Sequence, residues 1–196
     1  MKRQVLYLDC CIRGAESRTA RLASAFLNGL PEDCAVTALH LMEEGLEPLS
    51  GPFFQQRERL LAAGQLDHPR FRYAHQLAQA DLVAAAAPFW DLSFPALFKI
   101  YIENVSVEGI TFRSTADGLQ GLCRGTDLVF LTTRGGIYAP GDPLEQGTPY
   151  LRGIQKFFGF DRFHCVAADG LDVDGFDAAG SLDAACRQAA ALAASL

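Results

Sequence analysis

Cysteine pairs, basic runs and long apolar stretches are missing from this chain, and each absence removes a class of protein. The six cysteines (10, 11, 34, 123, 165 and 186) form no C-x-x-C pair, and two of them are adjacent. Neither a disulfide framework nor a zinc knuckle is built that way, so reduced thiols are expected. Four scattered histidines complete no metal-ligand pattern, and no metal site is expected. Seventeen basic against 23 acidic side chains leave a net charge of −6. That sign gives no long-range attraction to phosphodiester backbones or anionic lipid, so neither nucleic acid nor a membrane is expected as a partner. The longest apolar run, Leu82 to Trp90, is half the roughly 20 residues that a bilayer span requires. Met1-Lys2-Arg3 resembles the basic start of a signal peptide, but Asp9 interrupts the apolar stretch behind it. The expected location is cytoplasmic.

What is present is the material of one globular domain. The 196 residues are 49% hydrophobic and 20% charged, a length suited to a single core spanning 1–196. Short continuous apolar runs recur at Val5-Leu8, Ala35-Leu39, Leu82-Ala87, Leu128-Thr132 and Phe163-Ala168. Continuous rather than alternating apolarity marks strands covered on both faces, hence a parallel sheet between two helix layers. Helical spacing fills the gaps. Thr19, Ala23, Phe26, Leu27 and Leu30 share one face behind a Ser17 cap and ahead of Pro31. Further helices are expected over His68–Ala80, after Ser93 and Pro95, over Pro149–Phe158 and over Asp183–Leu196. In the second of these, Ala96, Leu97, Ile100, Tyr101 and Asn104 define a face. Residues 41–66 read as a surface excursion broken by Gly45, Pro48 and Gly51-Pro52, with one helix over Gln55–Ala63. Five strands alternating with helices give a doubly wound α/β fold with right-handed crossovers.

In such a sheet, ligands collect at the carboxyl ends of the strands, where strand order reverses. Three loops there are unusual. The first, Asp9 to Thr19, places Ser17, Arg18 and Thr19 at a helix start, where unbonded amides and the helix dipole favour a phosphate. An ordinary N-cap beside a solvated arginine would look the same. The second, Pro88 to Pro95, carries Phe89, Trp90 (the only tryptophan), Asp91 and Leu92, a flat apolar surface for a planar ligand or a cap on the core. The third, Thr132 to Tyr138, contains Thr133, Arg134, Gly135 and Gly136, where paired glycines permit close backbone approach. Together the three favour a phosphorylated planar cofactor.

Neither G-x-G-x-x-G nor G-x-x-x-x-G-K-[ST] occurs. A cysteine-dependent phosphatase would need five residues between its thiol and its arginine. Cys11 and Arg18 are separated by six, and Cys10 and Arg18 by seven.

The segment Ala87-Pro88-Phe89-Trp90-Asp91-Leu92-Ser93 is similar to the A-P-M-Y-N-F-x of FMN-dependent NADH-azoreductases and NADH:quinone oxidoreductases. Gly109-Ile110-Thr111-Phe112-Arg113 resembles the G-V-T-F-R of that family, and Thr133-Arg134-Gly135-Gly136 its S-R-G-G. Thr148-Pro149-Tyr150-Leu151 with Phe158-Gly159-Phe160 resembles T-P-Y-L…F-L-G-F. The pieces lie in family order from Ala87 to Phe160. The resemblance implies a flavodoxin-like doubly wound five-stranded parallel sheet of order 2-1-3-4-5 with helices on both faces. It also implies a homodimer holding one FMN per subunit near the interface, and NADH or NADPH as hydride donor. The implied reaction is a two-electron, ping-pong reduction of quinones and azo compounds, with hydride passing through flavin N5. Cys10, Ser17, Arg18 and Thr19 would surround the phosphate. Phe89, Trp90, Asp91 and Leu92 would line the ring, and Thr133, Arg134, Gly135 and Gly136 would flank its other side. The flavin supplies the chemistry, so no catalytic side chain is assigned.

Three positions depart from the pattern: Cys10 replaces a serine, Asp91 an asparagine, and Ser114 a tyrosine associated with the acceptor. The last makes quinone the firmer expectation over azo compounds. The competing reading is a flavodoxin-type electron carrier with no direct reaction with NADH, which net negative charge would suit.

Overall fold

The computed structural model describes residues 2–196; Met1, the first residue of the basic start, lies outside them. Five parallel strands form the main sheet: β1 (Arg3–Asp9), β2 (Cys34–His40), β3 (Leu82–Ala86), β6 (Asp127–Thr133) and β7 (Arg162–Ala168), in the order β2-β1-β3-β6-β7. The numbers β4 (Phe112–Thr115) and β5 (Gly118–Gly121) belong to a separate antiparallel hairpin, so the main sheet has the expected order 2-1-3-4-5. Strand order reverses between β1 and β3, which pair in parallel from Val5–Leu82 to Asp9–Ala86.

Side-chain alternation along the strands divides the interior into two cores. Val5 and Tyr7 face one side and Leu6 and Leu8 the other, as the two-residue period requires. On the first side lie α1 (Arg18–Asn28) and α6 (Ala178–Ser195), contributing Leu22, Phe26, Leu182 and Ala185. On the second lie α2 (Gly51–Ala62), α3 (Arg72–Gln79), α4 (Ala96–Val105) and α5 (Gly147–Phe158), contributing Leu60, Leu77, Tyr101 and Phe158. No helix among the described residues is long and apolar enough to cross a membrane.

Several boundaries differ from expectation for local reasons. Helix α2 starts at Gly51 rather than Gln55, because Pro52 sits in the first turn, where its missing N–H costs nothing. Pro149 is likewise inside the first turns of α5, which starts at Gly147. Helix α6 begins five residues before Asp183, capped by Asp177 through Gly180 N–H at 2.9 Å. The core face of α4 is Phe98, Tyr101, Ile102 and Val105, rotated from the expected one; Asn104 instead donates to Glu47 O and Ile100 O. A 3-10 turn at Pro69–Phe71 precedes α3 in the segment expected to be one helix.

Candidate functional site

The carboxyl ends of β1, β3 and β6 enclose a cavity of about 380 Å³, within the range of small-molecule sites. Its first wall is the start of α1. Ser17 has extended backbone, and its hydroxyl oxygen accepts from Ala20 N–H at 3.1 Å, so the helix is fixed where the capping pattern places it. The amides of Arg18 and Thr19 fall in the first turn and have no carbonyl within the helix to bond. Thr19 and Thr133 share a buried hydroxyl–hydroxyl bond of 2.6 Å, which joins this wall to the end of β6.

The aromatic turn forms the second wall. Trp90 and Ser93 exchange reciprocal backbone bonds (3.1 and 2.8 Å), while Asp91 and Leu92 take positive φ of 45° and 68°. Two consecutive non-glycine residues in that region are strained and persist only because the surroundings hold them. Gln146 N–H bonds Leu92 O at 2.8 Å, and Phe89 N–H bonds Thr133 O at 3.0 Å. Ser93 therefore closes this turn, and Pro95 rather than Ser93 precedes α4. Trp90 stays 44% exposed at the mouth, and the Phe89 ring lies 4.8 Å from that of Tyr138.

The third wall is the glycine loop. A Cβ on Gly135 would come within 2.5 Å of Asp172 Oδ2, and one on Gly136 within 3.2 Å of the Tyr138 ring. The carbonyls of Arg134, Gly135 and Gly136 accept from Leu171, Asp172 and Gly170 N–H at 3.1, 3.0 and 2.9 Å. Trans peptides then turn the Gly135 and Gly136 amides the other way, toward the side of β3 and the aromatic turn.

All the expected site residues except Cys10 and Arg134 line this one cavity. Cys10 has no exposure. It continues the alternation of Leu6 and Leu8 into the core, and burial pushes its thiol up to about 12. Arg134 is 7% exposed and points behind the glycine loop, into a neighbouring cavity of about 690 Å³. There its guanidinium meets Thr148 Oγ1 at 3.0 Å, Asp169 at 3.4 Å and Glu145 at 3.6 Å. It braces the loop from behind. Ser114 lies on the exposed β4 strand, outside the lining.

Ile12, Arg13, Pro88, Tyr138 and Asp172 complete the lining. The first four belong to the loops singled out in the sequence. Asp172 comes from a fourth loop, after β7, and carried no local signal. Arg18 reaches it: Nη1 donates to Leu171 O at 2.8 Å and Nη2 to Asp172 Oδ1 at 2.9 Å. No cluster of metal-ligating side chains occurs among the described residues.

A doubly wound sheet with a part-polar, part-aromatic slot at its switch point is the arrangement of flavodoxin-like ligand-binding proteins. The chain belongs to the Flavodoxin_2 family, of flavodoxin-like fold, whose model matches residues 3–193. It is 40% identical to an FMN-dependent NADH:quinone oxidoreductase of Clostridium acetobutylicum over 85% of both chains. It is 37% identical to an FMN-dependent NADH:quinone oxidoreductase of Clostridium perfringens over 97% of this chain and 98% of that one. Among solved structures, an azoreductase from Bacillus anthracis superimposes with a TM-score of 0.88 at 25% identity, covering 99% of this chain and 100% of the other.

Proposed function

We propose that this chain is an FMN-dependent NADH:quinone oxidoreductase, with azo compounds as further acceptors. The observation that carries the reading is the convergence, in one slot, of a bare helix start, an aromatic turn and a glycine ledge. The fit to FMN rests on that geometry. The Arg18 and Thr19 amides with the Ser17 hydroxyl suit a phosphate. Phe89, Trp90 and Leu92 offer a platform for a flat ring. At the Gly135–Gly136 ledge a Cβ would crowd the Asp172 carboxylate and the Tyr138 ring, and the bare backbone can approach the ring edge.

When bound, FMN supplies hydride acceptance from NADH and two-electron delivery to the acceptor. The chain binds and orients. Its first-turn amides and Arg18 would neutralise the phosphate, and the Gly135 and Gly136 amides would stabilise negative charge on the ring. Trp90 N–H is already bonded to Ser93 O, so a donor from that turn to the ring is the amide of Asp91 or Leu92. Arg134 positions the glycine loop. Asp91, exposed beside the slot, adds negative charge near the ring and favours its oxidised form. The relatives' shared name supports an enzyme over a flavodoxin-type carrier. A homodimer closing over the mouth is part of the same reading, supported by the exposure of Trp90, Leu92, Ile137 and Leu144 around it. Six free cysteines support a cytoplasmic setting.

The test is direct. Purified protein, or protein incubated with FMN, should be yellow, should bleach with NADH in the absence of oxygen, and should regain colour with a quinone. Protein that takes up no FMN overturns the reading. Bound FMN that NADH leaves yellow would favour the carrier instead.

A further inference from the structure

We infer that Asp172 sets how strongly the slot selects a phosphorylated ligand, by holding Arg18 as a counter-ion that an incoming phosphate must displace. The inference rests on the flavin reading for the identity of the ligand, but not for the behaviour of the pair.

Arg18 is the first residue of α1 and, with Arg13, one of two arginines that line the slot. Its guanidinium is committed elsewhere, with both terminal nitrogens donating to the loop after β7, one to Leu171 O and one to the Asp172 carboxylate. The backbone of Asp172 is tied down by its own N–H to Gly135 O at 3.0 Å. Its second carboxylate oxygen sits over Gly135, where a Cβ would meet it at 2.5 Å. Asp172 thereby places a carboxylate beside the glycine ledge, in the same lining as the helix start that favours an anion.

The two side chains are 35% and 65% exposed, so the pair is solvent-screened and exchangeable. A phosphate at the first turn of α1 offers Arg18 more negative charge than Asp172 does, and gains the helix amides as well. A flavin without phosphate gains neither and leaves the pair closed. Asp172 thus lowers the affinity of the slot for every anion by the fraction of time it occupies Arg18, and only a ligand that also uses the amides overcomes it. For a screened pair of this kind the reduction is about three- to fivefold.

The experiment compares wild type with Asp172→Asn, each with and without Arg18→Ala, with Asp172→Ser as a second replacement. Inorganic phosphate is titrated calorimetrically, and FMN and riboflavin by quenching of flavin fluorescence. Loss of Asp172 should tighten phosphate and FMN about three- to fivefold and leave riboflavin unchanged. The gain should vanish when Arg18 is alanine. Unchanged or weaker phosphate binding in both Asp172 variants overturns the inference, as does a gain that persists without Arg18, which would make Asp172 a plain repulsive charge. If no variant takes up FMN, the flavin reading fails, while the phosphate titration still decides whether Asp172 restrains Arg18.

Discussion

Asp127, at the opposite end of the sheet from the slot, has no side-chain exposure yet is ionised. Burial alone would raise its pKa, but hydrogen bonds from Arg162 (2.7 Å), Thr126 (2.7 Å) and His164 (2.8 Å) outweigh it and hold the carboxyl at about 2. Arg3 adds a contact at 3.1 Å. The folded-state value lies below that of the unfolded chain, so the folded state binds fewer protons near pH 3. The resulting stability, up to about 2 kcal/mol, is present above roughly pH 4 and is lost as pH falls toward 2. Urea unfolding between pH 2 and 6 should show that slope in wild type and a shallower one in Asp127→Asn. Equal slopes would assign the acid sensitivity to other groups. Residues such as Ser17 and Thr133 were legible in the sequence because capping and strand ends are local. Cys10 was misplaced by its family position, although the parity of β1 points it into the core. Asp172 was invisible, since only the folded chain brings the loop after β7 against the glycine loop.

Strands were legible where they carry an apolar run, not in proportion to burial: β2 has such a run and was expected to be covered on both faces, yet as an edge strand it buries only Leu39 and leaves Val36 46% exposed. The five sheet strands announced themselves as apolar runs, whereas the β4–β5 hairpin is largely exposed, has no such run, and went unread. Helices α2 and α5 start before the residues their apolar spacing marks, with Pro52 and Pro149 in their first turns, and α6 does so without a proline. The hairpin is nonetheless firmly docked. Phe112 meets Phe157 at 4.6 Å between ring centres, and Cys123 N–H bonds Phe158 O at 3.0 Å. Gly121 allows this approach, since a Cβ there would lie 2.2 Å from Gly159 N and from Phe158 C, backbone atoms that cannot step aside. Gly121→Ala should destabilise the protein by about 1–3 kcal/mol. Gly153→Ala, on α5 with nothing within 4 Å, should instead be neutral or stabilising. Thermal unfolding of the two variants checks the pair, and an unchanged midpoint for Gly121→Ala would mean that the hairpin does not dock as described.

At the scale of the molecule, buried runs separated by helical spacing made the layered architecture readable. Strand order and the identity of the ligand came from the family resemblance. The proposed dimer is a whole-molecule property with its own readout, because Trp90 is the only tryptophan. Sedimentation of the flavin-free protein should give about twice 21.2 kDa. Iodide should quench its tryptophan emission weakly at high protein concentration and strongly on dilution, if a second chain covers a side chain that is 44% exposed in one chain alone. A monomer at all concentrations would require the slot to work uncovered. Strand β6 links the two ends of the sheet. Its foot is Asp127, pinned by four neighbours, and its crown is Thr133, which carries the glycine ledge about 20 Å away. The foot adds a charged anchor to a register already held by seven pairings with β7 and five with β3, so the ledge stands at a height set along the whole length of the strand.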